Sequence, residues 1–371
     1  MQKVKVMQIL KKADGALEKA KQLGPERVIE LLNKKDLRGR GGAGFHTGKK
    51  WEMARNAPGE KKYAVCNSDE GEPGSFKDKF IWNNNPEAAI IGLQTAAFCI
   101  GAQEALIYLR GEYRYLKKNI EKAITKIGGV PVKIVVGGGA YVCGEETAIL
   151  ESIEGKRGQV RNKPPYPVTY GLFGMPTAVN NVETLANVPL AVLYDDWDPN
   201  LRLFSLSGNV TKPGVYELHM GSKFSDLLDQ GKPKNRIKAA FLGCSGGVIP
   251  YDPDMRLTPE QVCDMRCRLG SRSFIAADEK HSIVELAANI AKFYEYESCG
   301  KCTPCREGNH RIVMILESML AGKGKREDLD TLQELAEVIE ETSSCGLGQT
   351  STQHLKTGLQ HFRKEFEALI K

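Results

Sequence analysis

Four cysteines in the last quarter of the chain have a spacing suited to a metal centre. Cys299, Cys302 and Cys305 follow one another with two residues between each pair, and Cys345 stands in Ser-Ser-Cys-Gly-Leu-Gly. A cubane [4Fe–4S] cluster takes one thiolate on each iron, so three closely spaced thiols and a remote fourth suit it. Four cysteines also form a closed zinc site, although zinc sites usually pair two separate Cys-x-x-Cys segments. The spacing favours iron–sulfur and electron transfer, with zinc as the alternative.

A glycine-rich segment, Gly39–Gly48, suits the binding of a phosphate group. Its glycines let successive backbone N–H groups point into one concavity and let a ligand approach the main chain. Arg40, Lys49 or Lys50 could neutralise phosphate charge. The segment matches neither a Walker A loop nor a G-x-G-x-x-G motif directly after a strand. A surface turn is the alternative interpretation.

An acidic loop, Asn67-Ser-Asp69-Glu-Gly-Glu72-Pro-Gly74, follows a predicted strand at residues 62–66. Ligands of α/β sheets bind beyond the carboxyl ends of strands, so this loop is well placed for a ligand. Asn67 offers a donor and an acceptor to a flavin ring or a ribose. Asp69 or Glu72 could accept hydrogen bonds from sugar hydroxyls or from an amide. The alternative is a solvated acidic turn.

Two further loops carry polar and glycine residues. Gly137-Gly-Gly-Ala-Tyr141 leads from a predicted strand into Gly144-Glu-Glu-Thr147, at the start of a predicted helix. A proline-rich segment that contains Lys163 and Tyr166 precedes Asn180-Asn-Val-Glu-Thr184, and could present a charge partner and a stacking face. Each loop alone is explained by packing or turn formation. Four such loops in one α/β region predict a large nucleotide site.

Composition excludes several classes of protein. The 371 residues are enough for two or three domains, and 41% hydrophobic with 26% charged residues is typical of a globular protein. The net charge of +6 comes without a basic block, which argues against nucleic-acid binding. No apolar run reaches the roughly 20 residues of a membrane span, and no signal-peptide core is present. Ten cysteines then indicate thiols and metal ligands in a cytoplasmic protein.

Hydrophobic periodicity divides the chain into three regions. The first alternates helices and short strands and predicts an α/β fold with a largely parallel sheet. Its predicted elements are helices at residues 1–35, 87–109 and 145–152, and strands at residues 62–66 and 132–136. From about residue 201 short strands separated by Pro/Gly turns predict a small mixed β domain, and from Ser282 helical periodicity dominates. We therefore expect domains at residues 1–195, 200–280 and 281–371.

Five of these motifs occur in the same order in one family. They are Gly39-Arg-Gly-Gly-Ala-Gly-Phe45, Asn67–Gly74, Gly144-Glu-Glu-Thr147, Asn180-Asn-Val-Glu-Thr184 and Cys299-x-x-Cys-x-x-Cys305. The chain resembles the NADH-binding flavin subunit of respiratory complex I and the corresponding diaphorase subunits of NAD-linked hydrogenases and formate dehydrogenases. The resemblance implies a Rossmann-like FMN domain, a β-grasp domain and a helical bundle with one [4Fe–4S] cluster.

The resemblance also implies the site residues. FMN would contact Gly41, Gly42, Gly44, Lys50, Asn67, Asp69, Tyr141, Gly144, Glu145, Glu146, Asn180 and Asn181. NAD(H) would contact Phe45, Glu72, Lys163 and Tyr166, and the cluster ligands would be Cys299, Cys302, Cys305 and Cys345. Glu72 and Glu145, near the stacked rings, would tune the flavin potential and the nicotinamide affinity.

By the same resemblance, a hydride would pass between NAD(H) and FMN, and single electrons between FMN and the cluster. The expected partners are a thioredoxin-like [2Fe–2S] subunit and a catalytic iron–sulfur subunit, since no ferredoxin-type cysteine run occurs here. Met53 stands where an aromatic residue is frequent in the family, and Tyr166 where phenylalanine is common. Cys345-Gly-Leu-Gly-Gln-Thr350 favours the soluble hydrogenase and formate dehydrogenase branch over complex I. A non-catalytic electron-transfer scaffold and a zinc-stabilised nucleotide-binding regulator are the competing hypotheses.

Overall fold

The protein folds into two compact units. A computed structural model describes residues 7–371. The first unit contains the described residues up to Gly71 together with Phe76–Arg202, and the second contains Glu72–Ser75 and Leu203–Lys371. The short segment Glu72–Ser75 therefore belongs to the second unit, although both of its neighbours in sequence belong to the first. The three domain boundaries expected from the sequence stay a prediction.

The first unit is an α/β layer structure. Its strands are β1 (Tyr63–Ser68), β2 (Glu104–Leu109), β3 (Val132–Val136) and β4 (Thr177–Asn181). Its helices are α1 (Ala16–Leu23), α2 (Pro25–Lys34), α3 (Thr47–Asn56), α4 (Lys77–Asn84), α5 (Pro86–Ile100), α6 (Lys117–Ile127), α7 (Glu146–Ile153) and α8 (Val182–Leu193). The strand order is β3-β2-β1-β4 and every pairing is parallel, which confirms the α/β fold with a parallel sheet.

Helix α5 is shorter than the sequence predicts. The sequence pattern predicts helix over residues 87–109, but the helix ends at Ile100 and strand β2 begins at Glu104. Gly101 has a φ of 75°, the left-handed conformation that ends helices at low cost for glycine. Strand β2 is nearly all apolar and buried. A buried parallel strand carries a continuous apolar run that periodicity alone does not separate from a buried helix.

The second unit contains a mixed sheet and a group of helices. Its strands are β5 (Leu201–Gly208), β6 (Gly214–His219), β7 (Ile237–Phe241), β8 (Val248–Pro250) and β9 (Ser273–Asp278). The order β6-β5-β9-β7-β8, with helix α9 (Phe224–Gly231) after the first two strands, is the β-grasp arrangement. Phe204, Phe224 and Phe274 lie together in its core, with ring centroids 5.5 and 6.0 Å apart.

Helices form the rest of the second unit. They are α10 (Pro259–Asp264), α11 (Ile283–Glu297), α12 (Thr303–Ser318), α13 (Arg326–Thr342), α14 (Gly346–Thr350), α15 (Gln353–His361) and α16 (Arg363–Glu367). Leu316, Leu332 and Leu355 are fully buried in the core that α11, α12, α13, α15 and α16 share. Among residues 7–371, no helix has the length and apolar character needed to cross a membrane.

One titratable side chain is enclosed in this helical core. His354 on α15 is 1% exposed and its ring stacks on that of Tyr294 at a centroid distance of 6.3 Å. Burial lowers the pKa of His354 to about 3, because the charged ring would lose its hydration. Below its ordinary pKa the unfolded chain therefore binds a proton that the folded chain does not bind.

This difference predicts acid sensitivity. The His354 contribution to the free energy of unfolding should be complete above about pH 6.5 and fall by about 1.4 kcal/mol per pH unit as the pH drops towards 3. We expect His354→Phe, which keeps an aromatic ring against Tyr294, to be less sensitive than the wild type in thermal unfolding at pH 7 and pH 5. The exposed-site variant His310→Gln should keep the wild-type sensitivity, and equal pH dependence of all three proteins would contradict the prediction.

Candidate functional site

Four loops meet at one edge of the first sheet. Since β1 to β4 are parallel, their carboxyl ends, at Ser68, Leu109, Val136 and Asn181, lie on the same side. The acidic loop follows β1, the Gly137–Glu145 loop follows β3, and Asn180 and Asn181 end β4. This is the arrangement that the sequence predicts for a nucleotide site.

The glycine segment closes against the end of β4. Gly41 lies so near Asn181 that a Cβ atom on it would be 3.1 Å from the Cβ of Asn181. Gly42 and Gly44 have φ values of 123° and 66°, and a side chain on either would point into open space. Helix α3 starts after this segment without a side-chain cap. The N–H of Thr47 donates to the carbonyl of Leu37 at 2.9 Å, so an anion at this helix start would have to use the N–H groups of Gly48 and Lys49. Glycine is required here for backbone conformation and close approach.

Asn67 connects two of the loops. Its Nδ2 donates to the carbonyl of Gly144 at 2.8 Å, and its Oδ1 accepts from the backbone N–H of Asp69 at 3.1 Å. The Asp69 carboxylate lies 3.7 Å from the guanidinium of Arg110. A side chain at Gly71 would collide with that guanidinium and with the ring of Tyr141. The loops after β1 and β3 are thus locked together by polar and steric contacts.

The Glu145 side chain caps a helix, forms an ion pair and has a pKa below its ordinary value. Its Oε2 accepts from the backbone N–H groups of Thr147 and Ala148 at 2.7 and 3.0 Å, which caps helix α7. Its Oε1 accepts from the ammonium of Lys163 at 2.7 Å. Burial alone would raise the pKa of Glu145, but the hydrogen bonds from Lys163 and Thr147 hold that pKa below its ordinary value. The carboxylate is therefore ionised and already paired.

Lys163 and Lys50 both face the acidic start of α7. Lys163 lies 3.1 Å from Glu146 in addition to its contact with Glu145. Lys50 lies 3.5 Å from Glu146 and donates to the carbonyl of Val179 at 3.1 Å. The sequence resemblance predicts that both lysines meet a cofactor, and in this structure their charges are balanced by protein carboxylates. A bound anion would have to share or replace these contacts.

The side-chain amides at the end of β4 also form hydrogen bonds within the protein. Asn180 Oδ1 accepts from the indole N–H of Trp51 at 2.9 Å. Asn181 Oδ1 accepts from the backbone N–H of Glu183 at 3.0 Å and so caps α8. The two asparagines therefore hold the loops in place through their side chains.

Glu72 lies in the second unit. Its Oε1 accepts from the backbone N–H of Ser245 at 3.1 Å and from the Ser245 hydroxyl at 2.5 Å. Gly243, with a φ of 60°, packs so closely that an added Cβ would be 2.5 Å from the same oxygen. No sequence pattern singles out Ser245, because only the fold brings it to a carboxylate 173 residues away.

The aromatic residues predicted to face NAD(H) are open to solvent. Phe45 is 47% exposed and Tyr166 is 52% exposed. Met53, at the position noted for its lack of an aromatic ring, is 46% exposed. Large exposed aromatic side chains are suited to stacking on a planar ligand.

The four cysteines predicted to bind the cluster lie in the helical part of the second unit. Cys302 and Cys345 stand at the N-cap positions of α12 and α14, and Cys305 is in the first turn of α12. A Cβ atom on Gly348 would be 3.2 Å from the Cβ of Cys305, which places the segment after Cys345 beside Cys305.

The pKa of Cys305 is affected by the other three cysteines. Burial raises the pKa of Cys305 to about 11, and the nearby Cys302, Cys345 and Cys299 raise it further, against a hydrogen bond with Ser298. The Ser298 hydroxyl lies 3.2 Å from the Cys305 sulfur. The neighbouring thiols thus disfavour ionisation of Cys305, and cysteine sulfurs are donors suited to a cationic metal centre.

Comparisons with known proteins match two regions of this chain. Residues 32–190 match the Nuo51 FMN-binding domain, and residues 285–369 match the NADH-ubiquinone oxidoreductase-F iron-sulfur binding region. The second F subunit of the NADH-quinone oxidoreductase of Rhizobium meliloti is 42% identical over 93% of this chain and 89% of its own length. The chain belongs to the family of NADH-quinone oxidoreductase F subunits.

The chain is also similar in sequence and in fold to subunits of NAD-reducing hydrogenases. The HoxS subunit alpha of the NAD-reducing hydrogenase of Cupriavidus necator is 38% identical over 95% of this chain. The crystal structure of an NAD⁺-reducing [NiFe]-hydrogenase in the H₂-reduced state superposes with a TM-score of 0.90 at 36% identity over 97% of this chain. The present chain spans 65% of that hydrogenase chain and 62% of the HoxS subunit.

The residues present fit the cofactors of the F-subunit family. The glycine segment, open at Gly42 and Gly44, and the uncapped start of α3 form a cradle for a phosphate-bearing cofactor such as FMN. The four thiols supply the soft donors that an iron–sulfur cluster requires. The family match agrees with iron–sulfur and not with the zinc alternative. The individual contacts to FMN, NAD(H) and the cluster stay predictions.

Proposed function

We propose that this chain is an NADH:acceptor oxidoreductase subunit that exchanges a hydride with NAD(H) and passes single electrons to a [4Fe–4S] cluster. The observation that carries the proposal is that the acidic loop, the Gly137–Glu145 loop and the end of β4 share the carboxyl edge of one parallel sheet, where the glycine segment packs on Asn181. FMN, when bound, supplies the conversion between two-electron and one-electron transfer.

In this proposal the residues of the protein bind FMN and NAD(H) and orient them. Gly41, Gly42 and Gly44 admit the cofactor to the main chain, and Lys50 offers positive charge beside the end of β4. Asn67, Asp69, Tyr141 and Gly144 form the wall that the loops after β1 and β3 build together. Phe45 and Tyr166 offer stacking faces for NAD(H), while the Glu145–Lys163 pair sets the local charge. Glu72, which accepts from Ser245, is the remaining residue proposed for NAD(H).

The domain roles follow the sequence prediction. We assign FMN and NAD(H) binding to residues 1–195, a β-grasp domain to residues 200–280 and the cluster to residues 281–371. Cys299, Cys302, Cys305 and Cys345 are the proposed ligands. The relatives named above are subunits of larger oxidoreductases. We therefore propose a thioredoxin-like [2Fe–2S] subunit and a catalytic iron–sulfur subunit as partners, in a soluble cytoplasmic hydrogenase or formate dehydrogenase rather than in membrane complex I.

Anaerobic purification followed by cofactor and activity analysis tests the proposal. We expect one FMN, about four irons and about four sulfides per chain, and NADH-dependent reduction of ferricyanide or viologen. If the flavin site is fully occupied but NADH reduces no acceptor, the enzyme hypothesis is wrong. The non-catalytic electron-transfer scaffold is then the remaining hypothesis. Zinc without iron or sulfide would instead favour the nucleotide-binding regulator.

A further inference from the structure

Four charged side chains lie fully buried behind the glycine segment of the first unit. Arg40, Lys77 and Asp78 are each 2% exposed, and Glu183 is 0% exposed. Lys77 Nζ lies 2.7 Å from Asp78 Oδ1 and 3.2 Å from Glu183 Oε2, and Arg40 Nη1 lies 3.2 Å from the other oxygen of Glu183. We call these four residues the buried charge network.

The buried charge network connects the glycine segment with the end of β4. Arg40 belongs to the glycine segment, and its backbone N–H donates to the hydroxyl of Thr184 at 2.8 Å. Asn181 accepts from Lys77 Nζ at 3.2 Å and donates to Asp78 Oδ2 at 2.6 Å. The same Asn181 is the residue against which Gly41 packs. A displacement of Lys77 or Asp78 would therefore move both segments.

Stability alone is a weak reason for such a network. Removing ions from water is costly, and apolar residues of equal volume often stabilise a protein as well or better. Fixed hydrogen-bond directions, by contrast, are what apolar residues cannot supply. The network lies where two cofactor-binding segments must keep one spacing, so positioning explains it better than stability does.

Burial shifts the pKa of one member of the network, Asp78, towards neutrality. Burial raises its pKa to about 7 against the opposing effect of Lys77, and Glu70 and Glu183 raise it further. The other titratable groups that sense Asp78 are Cys66, Tyr113 and, through Glu183, Arg40. Three carboxylates, counting Glu70, thus face two cations, and a fully ionised set has an excess negative charge.

We propose that the buried charge network positions the flavin, by fixing the glycine segment against Asn181, and that its net charge sets the potential at which the flavin is reduced. The inference rests on the proposed function, because it takes these two segments as part of the FMN site. Reduction adds negative charge to the flavin, so an ionised Asp78 nearby disfavours reduction and a protonated one does not.

The positioning role is tested with a matched pair of variants on helix α4. Lys77→Met removes the buried ammonium, and Lys79→Met removes an exposed one two residues away. In the full chain we expect Lys77→Met to weaken FMN binding by about tenfold or more, measured by flavin fluorescence titration, and Lys79→Met to bind like the wild type. Equal FMN affinity in both variants would overturn the positioning role.

The electrostatic role is tested with Asp78→Asn, which keeps the shape of the side chain and removes its charge. Its flavin midpoint potential should equal that of the wild type below about pH 6 and exceed it above about pH 8, where the wild-type Asp78 is ionised. The exposed-site variant Asp14→Asn should follow the wild type throughout. A potential for Asp78→Asn that follows the wild type at every pH would overturn this role, while the wild type would remain a flavoprotein. A wild type that binds no FMN would instead overturn the proposed function and this inference with it.

Discussion

Replacing Cys305 by serine should remove the iron–sulfur cluster from the purified chain. Cys305 is the most buried of the four proposed ligands, and its sulfur lies between Ser298 and Asn309 at 3.2 and 3.5 Å. A serine oxygen is a harder donor with a shorter reach, so one iron would lose its thiolate. We expect iron and sulfide to fall to a small fraction of the wild-type content, and the signal of the reduced cluster in electron paramagnetic resonance to disappear.

The first unit provides an internal control for this variant. Because the proposed FMN site is built from other residues, flavin content and NADH-dependent ferricyanide reduction should persist in Cys305→Ser, while electron delivery beyond the cluster should stop. Cys263→Ser is the matched control, since Cys263 is an exposed thiol of the same unit that lies outside the proposed ligand set. Iron content that is unchanged in Cys305→Ser, or lost equally in Cys263→Ser, would show that the ligands are assigned wrongly.

Replacing Gly92 by alanine should destabilise the first unit strongly for a change of one methyl group. Gly92 lies on α5 where that helix packs on α8, and an added Cβ would be 1.9 Å from the backbone oxygen of Leu185. Alanine favours a helix over glycine by about 1 kcal/mol, but separating two packed helices costs more than that gain. We expect a net loss of about 2 kcal/mol or more, seen as a melting temperature lower by roughly 4–8 °C.

A size series sharpens this prediction. Gly92→Val should destabilise further than Gly92→Ala, because the obstacle is main chain and cannot rotate away. Thermal unfolding should be followed by flavin release, which reports the first unit without the second. A melting temperature for Gly92→Ala at or above that of the wild type would mean that α5 and α8 do not approach this closely.

Helices and strands whose polar and apolar residues follow a regular pattern can be predicted from the sequence. Strand β3 occupies the predicted residues 132–136, and helix α7 begins one residue after its predicted start. The prediction of a helix across strand β2 is wrong, because an apolar run buried on both faces has no periodicity of its own. The sequence therefore predicts an element correctly where polar and apolar positions alternate. Where all positions are buried, it does not distinguish a helix from a strand.

In the candidate site, the sequence likewise reveals some features and not others. The residue types at its rim, such as the glycines after Gly39 and the four cysteines, are visible in the sequence because few other residues can take their place. The pairing of Lys163 with Glu145, and of Glu72 with Ser245, is not visible there, because each joins segments that only the fold brings together. Lys77 and Asp78 also resemble ordinary helix-surface charges in the sequence, although both are buried.

Because Glu72–Ser75 belong to the second unit, they cannot complete their folding early in synthesis of the chain. These residues leave the ribosome long before Ser245, the residue that holds Glu72. The loop that begins at Asn67 therefore cannot reach its final form while the first unit is the only part synthesised. A chain ending at Arg202 would contain every strand of the first sheet and still lack the contacts that complete this loop. Glu72–Ser75 can therefore take their final place only after Ser245 and the residues around it have been made.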